Sequence, residues 1–136
     1  MKILVIDDDH GYLVAIGRLL KALGHTVSAF NDSEAGLAHF MQHQEDFGLV
    51  LTDLDMPHVD GYDVIFRIRK ITKNDDIGVP ICLMSAYLSP CTVEDAKMAG
   101  ADRTFQKNQG LEALEQIIAD AATIFKSSKR AMCAAT

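Results

Sequence analysis

Two groups of acidic residues carry the first chemical signal. The apolar run "ILVI" ends directly in Asp7, Asp8 and Asp9, and the run "LVLT" ends in Asp53, with Asp55 two residues on and then Pro57. Carboxylates delivered to one place repel, raise one another's pKa and strain the fold unless a cation sits among them. A hard divalent ion with oxygen ligands answers that need, and Mg2+ prefers one or two carboxylates, a carbonyl and several waters to a full protein cage. Two more runs end in complementary groups: Ser85 after "ICLM" offers a hydroxyl, and Lys107 after "RTFQ" offers an ammonium. A metal, a lysine, a hydroxyl and a spare carboxylate on one rim would neutralise a phosphoryl group on every side and let the carboxylate accept it. That chemistry exists only where the run ends converge, which the surrounding elements decide.

Apolar runs of strand length alternate with longer segments of helical period, the pattern of a parallel sheet covered by helices on both faces. The expected strands are residues 3–6, 26–30, 49–52, 81–84 and 103–106. Residues 10–23 set Leu13, Ile16, Leu19, Leu20 and Leu23 on one helical face and stop at Gly24, a favourable residue at a helix C-terminus. Residues 61–72 do the same with Val64, Ile65, Ile68 and Ile71, and residues 111–125 with Leu114, Ile117, Ile118, Ala121 and Phe125. Two alanine-rich helices, 33–43 and 92–99, depend on capping by Asp32 or Ser33 and on the stop at Gly100. The runs ILVI, LVLT and ICLM are apolar throughout, as strands buried on both faces are, whereas TVSAF and RTFQ are mixed, as edge strands are. With right-handed crossovers this gives a three-layer α/β fold, a doubly wound, flavodoxin-like, five-stranded parallel sheet of order 2-1-3-4-5. Ligands bind such sheets beyond the strand carboxyl ends where the winding reverses, here between the first and third strands, which is where Asp7, Asp8 and Asp53 would meet.

Bulk properties narrow the classes of function. The chain has 136 residues, 49% of them hydrophobic, enough for one domain with a core of its own. Its 19 acidic against 13 basic residues argue against nucleic acid or an anionic membrane as the main partner. Cys82, Cys91 and Cys133 make an odd count without a CxxC pattern, which suits free thiols in a reducing compartment. The amino-terminal apolar run is followed at once by DDD, so it reads as neither a signal peptide nor a span, and a cytoplasmic protein is expected.

The stretches "ILVIDDD", "LVLTDLDMPHVDGYDV", "PICLMSAY" and "GADRTFQK" resemble, in order and spacing, the receiver domain of bacterial two-component response regulators of the single-domain type. The resemblance covers roughly residues 2 to 125, so residues 1–125 are expected to form the receiver and 126–136, "KSSKRAMCAAT" from residue 126, a frayed tail without an output domain. It implies that Asp53 is the phosphoacceptor, that Asp8 is a direct Mg2+ ligand with Asp7 acting through water, and that the backbone carbonyl of Asp55 completes the protein's share of the metal shell. Ser85 takes the hydroxyl position and Lys107 the cationic one, while Met56, Pro57 and Gly61 shape the loop after the acceptor. The implied donor is a phosphohistidine on a sensor histidine kinase or a histidine phosphotransfer protein. The implied output is a protein partner recognised by the face of the fourth helix, fifth strand and fifth helix, and no catalysis beyond self-phosphorylation and slow self-dephosphorylation is expected. Two departures stand out. Lys107 is followed by Asn108 where the family commonly has proline, so a trans bond or a strained loop is expected. Thr104 occupies the switch position where an aromatic residue is usual, and Phe105 faces the other way because strand side chains alternate.

Other readings compete. Asp53 and Asp55 also form the DxD spacing of a haloacid-dehalogenase-type phosphohydrolase, although that pattern usually sits on the first strand and there is no cap insertion here. A degenerate receiver working as a phosphate-independent interaction module is supported by Thr104 and Asn108. A nucleotide-binding flavodoxin-like domain fits least, because the turn after the first strand is DDDHGY rather than a glycine-rich cradle. Asp9 is expected to cap the first helix rather than bind metal. His39 and His43 have the spacing of a helical metal pair but lack a third ligand, so a solvated face is expected. The terminal CAAT resembles a prenylation box with an unusual last residue and is set aside.

Overall fold

The computed structural model describes the backbone of residues 1–71 and 78–135 and the side chains as far as residue 124. Its elements are β1 (Lys2–Ile6), α1 (His10–Ala22), β2 (Thr26–Phe30), α2 (Ser33–His43), a short 3-10 turn (Gln44–Asp46), β3 (Phe47–Asp53), α3 (Gly61–Ile71), β4 (Ile81–Ser85), α4 (Pro90–Ala99), β5 (Arg103–Gln106) and α5 (Leu111–Ala135). All four strand pairings are parallel and the order is β2-β1-β3-β4-β5, as expected.

The period of two along each strand splits the core into two layers. Ile3 and Val5 point to one side with Leu49, Leu51, Cys82, Met84 and Phe105, where α1 and α5 cover them with Leu13, Ile16, Leu114 and Ile118. Leu4 and Ile6 point to the other side with Val50, Ile81 and Leu83, beneath Leu37, Phe40, Val64, Ile65 and Ile68 of α2 and α3. Each such side chain contributes about 1.5–3 kcal/mol through burial, so these two layers dominate stability and leave the strand tips free for polar work. β3 and β4 are buried at every position, whereas β2 and β5 carry exposed residues, the difference between central and edge strands.

Helix termini follow local chemistry. The Asp9 carboxylate accepts the Tyr12 N–H at the start of α1, and Gly24 lies at φ 92° just beyond its end. Asp32 caps α2 through the Ala35 N–H. α4 begins at Pro90 rather than at residue 92, because Ser89 accepts the Thr92 N–H and proline at the first helical position needs no donor. It ends on Gly100 in the left-handed region. β3 is longer than expected at both ends, starting at Phe47 and finishing on Asp53 itself.

Further expectations change or lie outside the described residues. The segment expected as a frayed tail continues α5 to Ala135, since after Gly110 the chain contains neither glycine nor proline and is rich in good helix formers. His39 is not on a solvated face: its ring lies 5.0 Å from that of Phe30, 4.6 Å from His43 and 5.7 Å from Phe47. Burial, with His43 and Lys2 nearby, pushes its pKa down, so it behaves as an aromatic packing residue. Thr72, and the side chains of Phe125 and Cys133, lie outside the described residues. Among the described residues no helix is long and apolar enough to cross a membrane.

Candidate functional site

β1 and β3 are neighbours in register, with Ile6 opposite Thr52, so the next residue on each strand, Asp7 and Asp53, leaves the sheet side by side. Carboxylate oxygens of Asp7, Asp8 and Asp53 lie within 4.8 Å of one another. Asp7 is fully buried and Asp53 only 4% exposed, while Asp8 is exposed and forms the mouth of the cluster. Lys107 arrives from the end of β5, two strands away from β3. Its N–H donates to the Ser85 carbonyl at 2.8 Å, extending the β4–β5 ladder by one bond and fixing where its side chain starts. From there the four-carbon stem carries Nζ to 2.7 Å from Asp7 Oδ2 and 3.0 Å from Asp53 Oδ1.

The electrostatics follow from burial and crowding. Burial raises the Asp53 carboxyl from its usual 3.8 to about 6; Lys107 opposes the shift, and the charges of Asp7 and Asp8 add to it. Burial alone would lower the Lys107 pKa, but its hydrogen bonds to Asp7 and Asp53 outweigh that and raise it, so the ammonium stays charged. The cluster thus holds three carboxylates against one cation. An all-oxygen, net-negative donor set of this kind fits a hard divalent ion, whereas a softer metal would call for nitrogen or sulfur ligands.

The loop between β3 and α3 is fixed by backbone bonds. The Leu54 N–H donates to the Met84 carbonyl (3.0 Å) and the Gly61 N–H to the Leu54 carbonyl (2.9 Å). A β-carbon at Gly61 would collide with the Asp53 carbonyl oxygen and lie 2.7 Å from Leu83 Cδ1, so the close approach requires glycine. His58 sits at φ 66° in a tight turn closed by the Val59 N–H on the Pro57 carbonyl, 2.8 Å. Ser33, buried at the start of α2, donates its hydroxyl to the Val59 carbonyl at 2.9 Å and anchors this turn.

Asp7, Asp8, Asp53 and Lys107 come together. Ser85 is buried at the tip of β4, but its hydroxyl donates to the Tyr87 carbonyl (2.9 Å) and accepts the Tyr87 N–H (3.3 Å), so it is turned into its own loop. Asp55 is exposed, and its carboxylate is not part of the acidic cluster found among the described residues. Thr104 is half-buried on β5 opposite Leu83, and Phe105 points into the opposite core layer, as strand alternation requires. The Lys107–Asn108 bond is trans, since the described residues contain no cis peptide. Asp9 caps α1, as expected.

Three contributors escaped the sequence reading. Tyr12 places its ring 4.4 Å from the Lys107 ammonium. Gln106 accepts the Leu88 N–H (3.0 Å) and donates to the Asn108 side chain (2.7 Å), tying the loop after β4 to the turn after Lys107. Ser33 is the third. For Tyr12 a signal existed: a cap at Asp9 puts residue 12 in the first turn of α1, above the strand tips. Ser33 and Gln106 act through distant partners, which no local pattern marks.

The model of the response regulator receiver domain family matches residues 3–119. The virulence sensor protein BvgS of Bordetella bronchiseptica is 31% identical over 125 residues, covering 90% of this chain and 10% of that protein. The gliding motility regulatory protein of Myxococcus xanthus is 32% identical over 119 residues, 87% of this chain and 15% of that one. The chain therefore spans only a small part of the curated relatives it matches. Among solved structures, a response regulator receiver domain protein from Clostridium thermocellum superposes with a TM-score of 0.83 at 29% identity, covering 92% of this chain and 96% of that one. The receiver domain of the histidine kinase CKI1 from Arabidopsis thaliana, complexed with Mg2+ and BeF3-, superposes with a TM-score of 0.74 at 25% identity, covering 90% and 89%.

Proposed function

The chain belongs to the response regulator receiver domain family, the receivers of two-component systems, and from that premise we propose that Asp53 is its phosphoacceptor. The donor in this reading is a phosphohistidine on a sensor histidine kinase or histidine phosphotransfer protein. One observation carries it: a nearly buried carboxylate shares a lysine with a second carboxylate and lies within 4.8 Å of a third at an open mouth. With its pKa raised to about 6, Asp53 is largely ionised at neutral pH and retains the basicity of a nucleophile. A carboxylate oxygen of Asp53 attacks phosphorus, the nitrogen–phosphorus bond breaks, and the imidazole, already protonated on its other nitrogen, keeps the electron pair and departs neutral. Lys107 stays protonated and follows the charge from the carboxylate to the new phosphoryl oxygens.

Asp7, Asp8 and Asp53, with the carbonyl of Asp55, are the residues that would hold Mg2+. Bound there, the ion neutralises phosphoryl charge and supplies Lewis-acid stabilisation. For Ser85 to bond a phosphoryl oxygen, its hydroxyl must give up the Tyr87 carbonyl, which moves the loop entering α4. Because Thr104 provides no aromatic rotor, that loop and the face of α4, β5 and α5 are the route to a protein partner in this reading.

One observation favours a second reading. A Ser85 hydroxyl already satisfied within its own loop suits a phosphate-independent interaction module as well. The phosphohydrolase reading loses its acid/base partner, since the Asp55 side chain stands outside the cluster. Incubation with Mg2+ and acetyl phosphate tests the proposal. An acid-stable, hydroxylamine-labile modification that is absent in Asp53→Asn supports it; an unmodified protein that still binds its partner favours the interaction module.

A further inference from the structure

We infer that Tyr12 is a positioning residue of the phosphoryl-accepting site, holding the Lys107 ammonium on its two carboxylates through the face of its ring. The kinetic consequence rests on the function proposed above, whereas the contact itself stands apart from it. A lysine ammonium is a point charge on a stem with several rotatable bonds, so a stem that spans two strands does not aim itself. Here the ammonium has three neighbours: Asp7 Oδ2 at 2.7 Å, Asp53 Oδ1 at 3.0 Å, and the Tyr12 ring, whose centroid is 4.4 Å away. Together they leave the lysine side chain 17% exposed.

The ring is placed by the same residues that build the site. The Tyr12 N–H donates to Asp9 Oδ1 at 3.1 Å, the capping bond of α1. The Asp9 N–H donates in turn to Asp7 Oδ1 at 2.9 Å. Asp7 therefore anchors the helix cap with one oxygen and the ammonium with the other, closing a circuit through Asp7, Asp9, Tyr12 and Lys107. Below the ring lies the core layer of α1 and α5, against which Tyr12 packs. A π face is negative and attracts a cation without carrying a charge of its own. It also accepts no strong hydrogen bond, so it holds the ammonium in place without competing with a carboxylate or an incoming phosphoryl oxygen.

Two measurements test the inference. The first uses no phosphoryl donor: the Lys107 ε-methylene protons, read by NMR in the full chain, should be shifted upfield by the ring, keep that shift in Tyr12→Phe and lose it in Tyr12→Leu. The second is the rate of modification of Asp53 by acetyl phosphate with Mg2+, in which an acyl oxygen–phosphorus bond breaks, the Asp53 oxygen–phosphorus bond forms and acetate leaves. Tyr12→Leu should slow it by about five- to tenfold, Tyr12→Phe should restore it, and in a Lys107→Met background Tyr12→Leu should cause no further slowing. Lys107 protons without an upfield shift, or slowing that persists once Lys107 is gone, overturn the inference. A parent chain that takes no phosphoryl group refutes the proposed function instead, and the NMR measurement then decides the role of Tyr12 alone.

Discussion

Replacing Asp53 by asparagine removes one buried negative charge from a cluster of three, and in the absence of metal it should stabilise the protein. Folding raises the Asp53 pKa from 3.8 to about 6, chiefly through burial. A group whose folded pKa lies above its unfolded value contributes stability that is fully present below the unfolded pKa and is lost as pH rises through the folded one. The Asp53 contribution is therefore intact near pH 3.8 and gone above about pH 6. A difference of about 2 pH units corresponds to a ceiling of about 3 kcal/mol at 1.36 kcal/mol per unit. Solvent entering past exposed Asp8 screens the site, and about 1–2 kcal/mol is the expected net effect. The amide of the Asp53→Asn variant does not titrate, so urea melts in EDTA should show the variant equal to the parent near pH 4 and more stable by that amount at pH 7.5. With millimolar Mg2+ the order should narrow or reverse, because the parent then gains binding energy from its ionised cluster. The melts should be followed by circular dichroism, as the chain has no tryptophan. A variant no more stable than the parent at pH 7.5 in EDTA, or a difference that does not grow with pH, would refute the reasoning: Lys107 would then fully compensate the charge of Asp53.

Three further outcomes are expected. Lys107→Met leaves fully buried Asp7 without its ion-pair partner, which should cost about 2–4 kcal/mol in EDTA and be partly recovered with Mg2+, read from the same urea melts. Gly61→Ala drives a β-carbon into the Asp53 carbonyl and Leu54 Cα, so it should destabilise by about 2 kcal/mol or more and weaken Mg2+ binding in calorimetric titration, whereas Gly17→Ala, where a β-carbon meets nothing within 4 Å, should not weaken it. Apparent Mg2+ affinity should fall by up to about tenfold for each pH unit below about 6, as protons compete for Asp53; a flat profile from pH 7 to 5 would exclude Asp53 from the metal's ligands.

Much of this protein is legible from local pattern alone. The period of two and the unbroken apolar runs marked which segments are strands and which of them are central, and with right-handed crossovers the order β2-β1-β3-β4-β5 satisfies both demands, as the structure has it. That order makes β1 and β3 neighbours, and the observed register, which shifts between Lys2 and Ile3 and then sets Ile6 opposite Thr52, brings Asp7 and Asp53 out side by side. Asp9 as a helix cap and Phe105 as a core residue are equally local statements, one about an unpaired N–H and one about alternation. Only the tertiary structure decided where flexible or rotatable groups point. Ser85 sits where expected, yet its hydroxyl turns toward Tyr87, since a single bond rotation chooses between two acceptors and neither choice leaves a trace in the sequence. The aim of Lys107 comes from Tyr12, Asp7 and Asp53, His39 is drawn among aromatic rings of β2 and β3, and α5 runs on to Ala135. Sequence period encodes which face of an element is buried; the direction of a polar side chain is a balance among neighbours distant in the chain, and that balance exists only after the chain has folded.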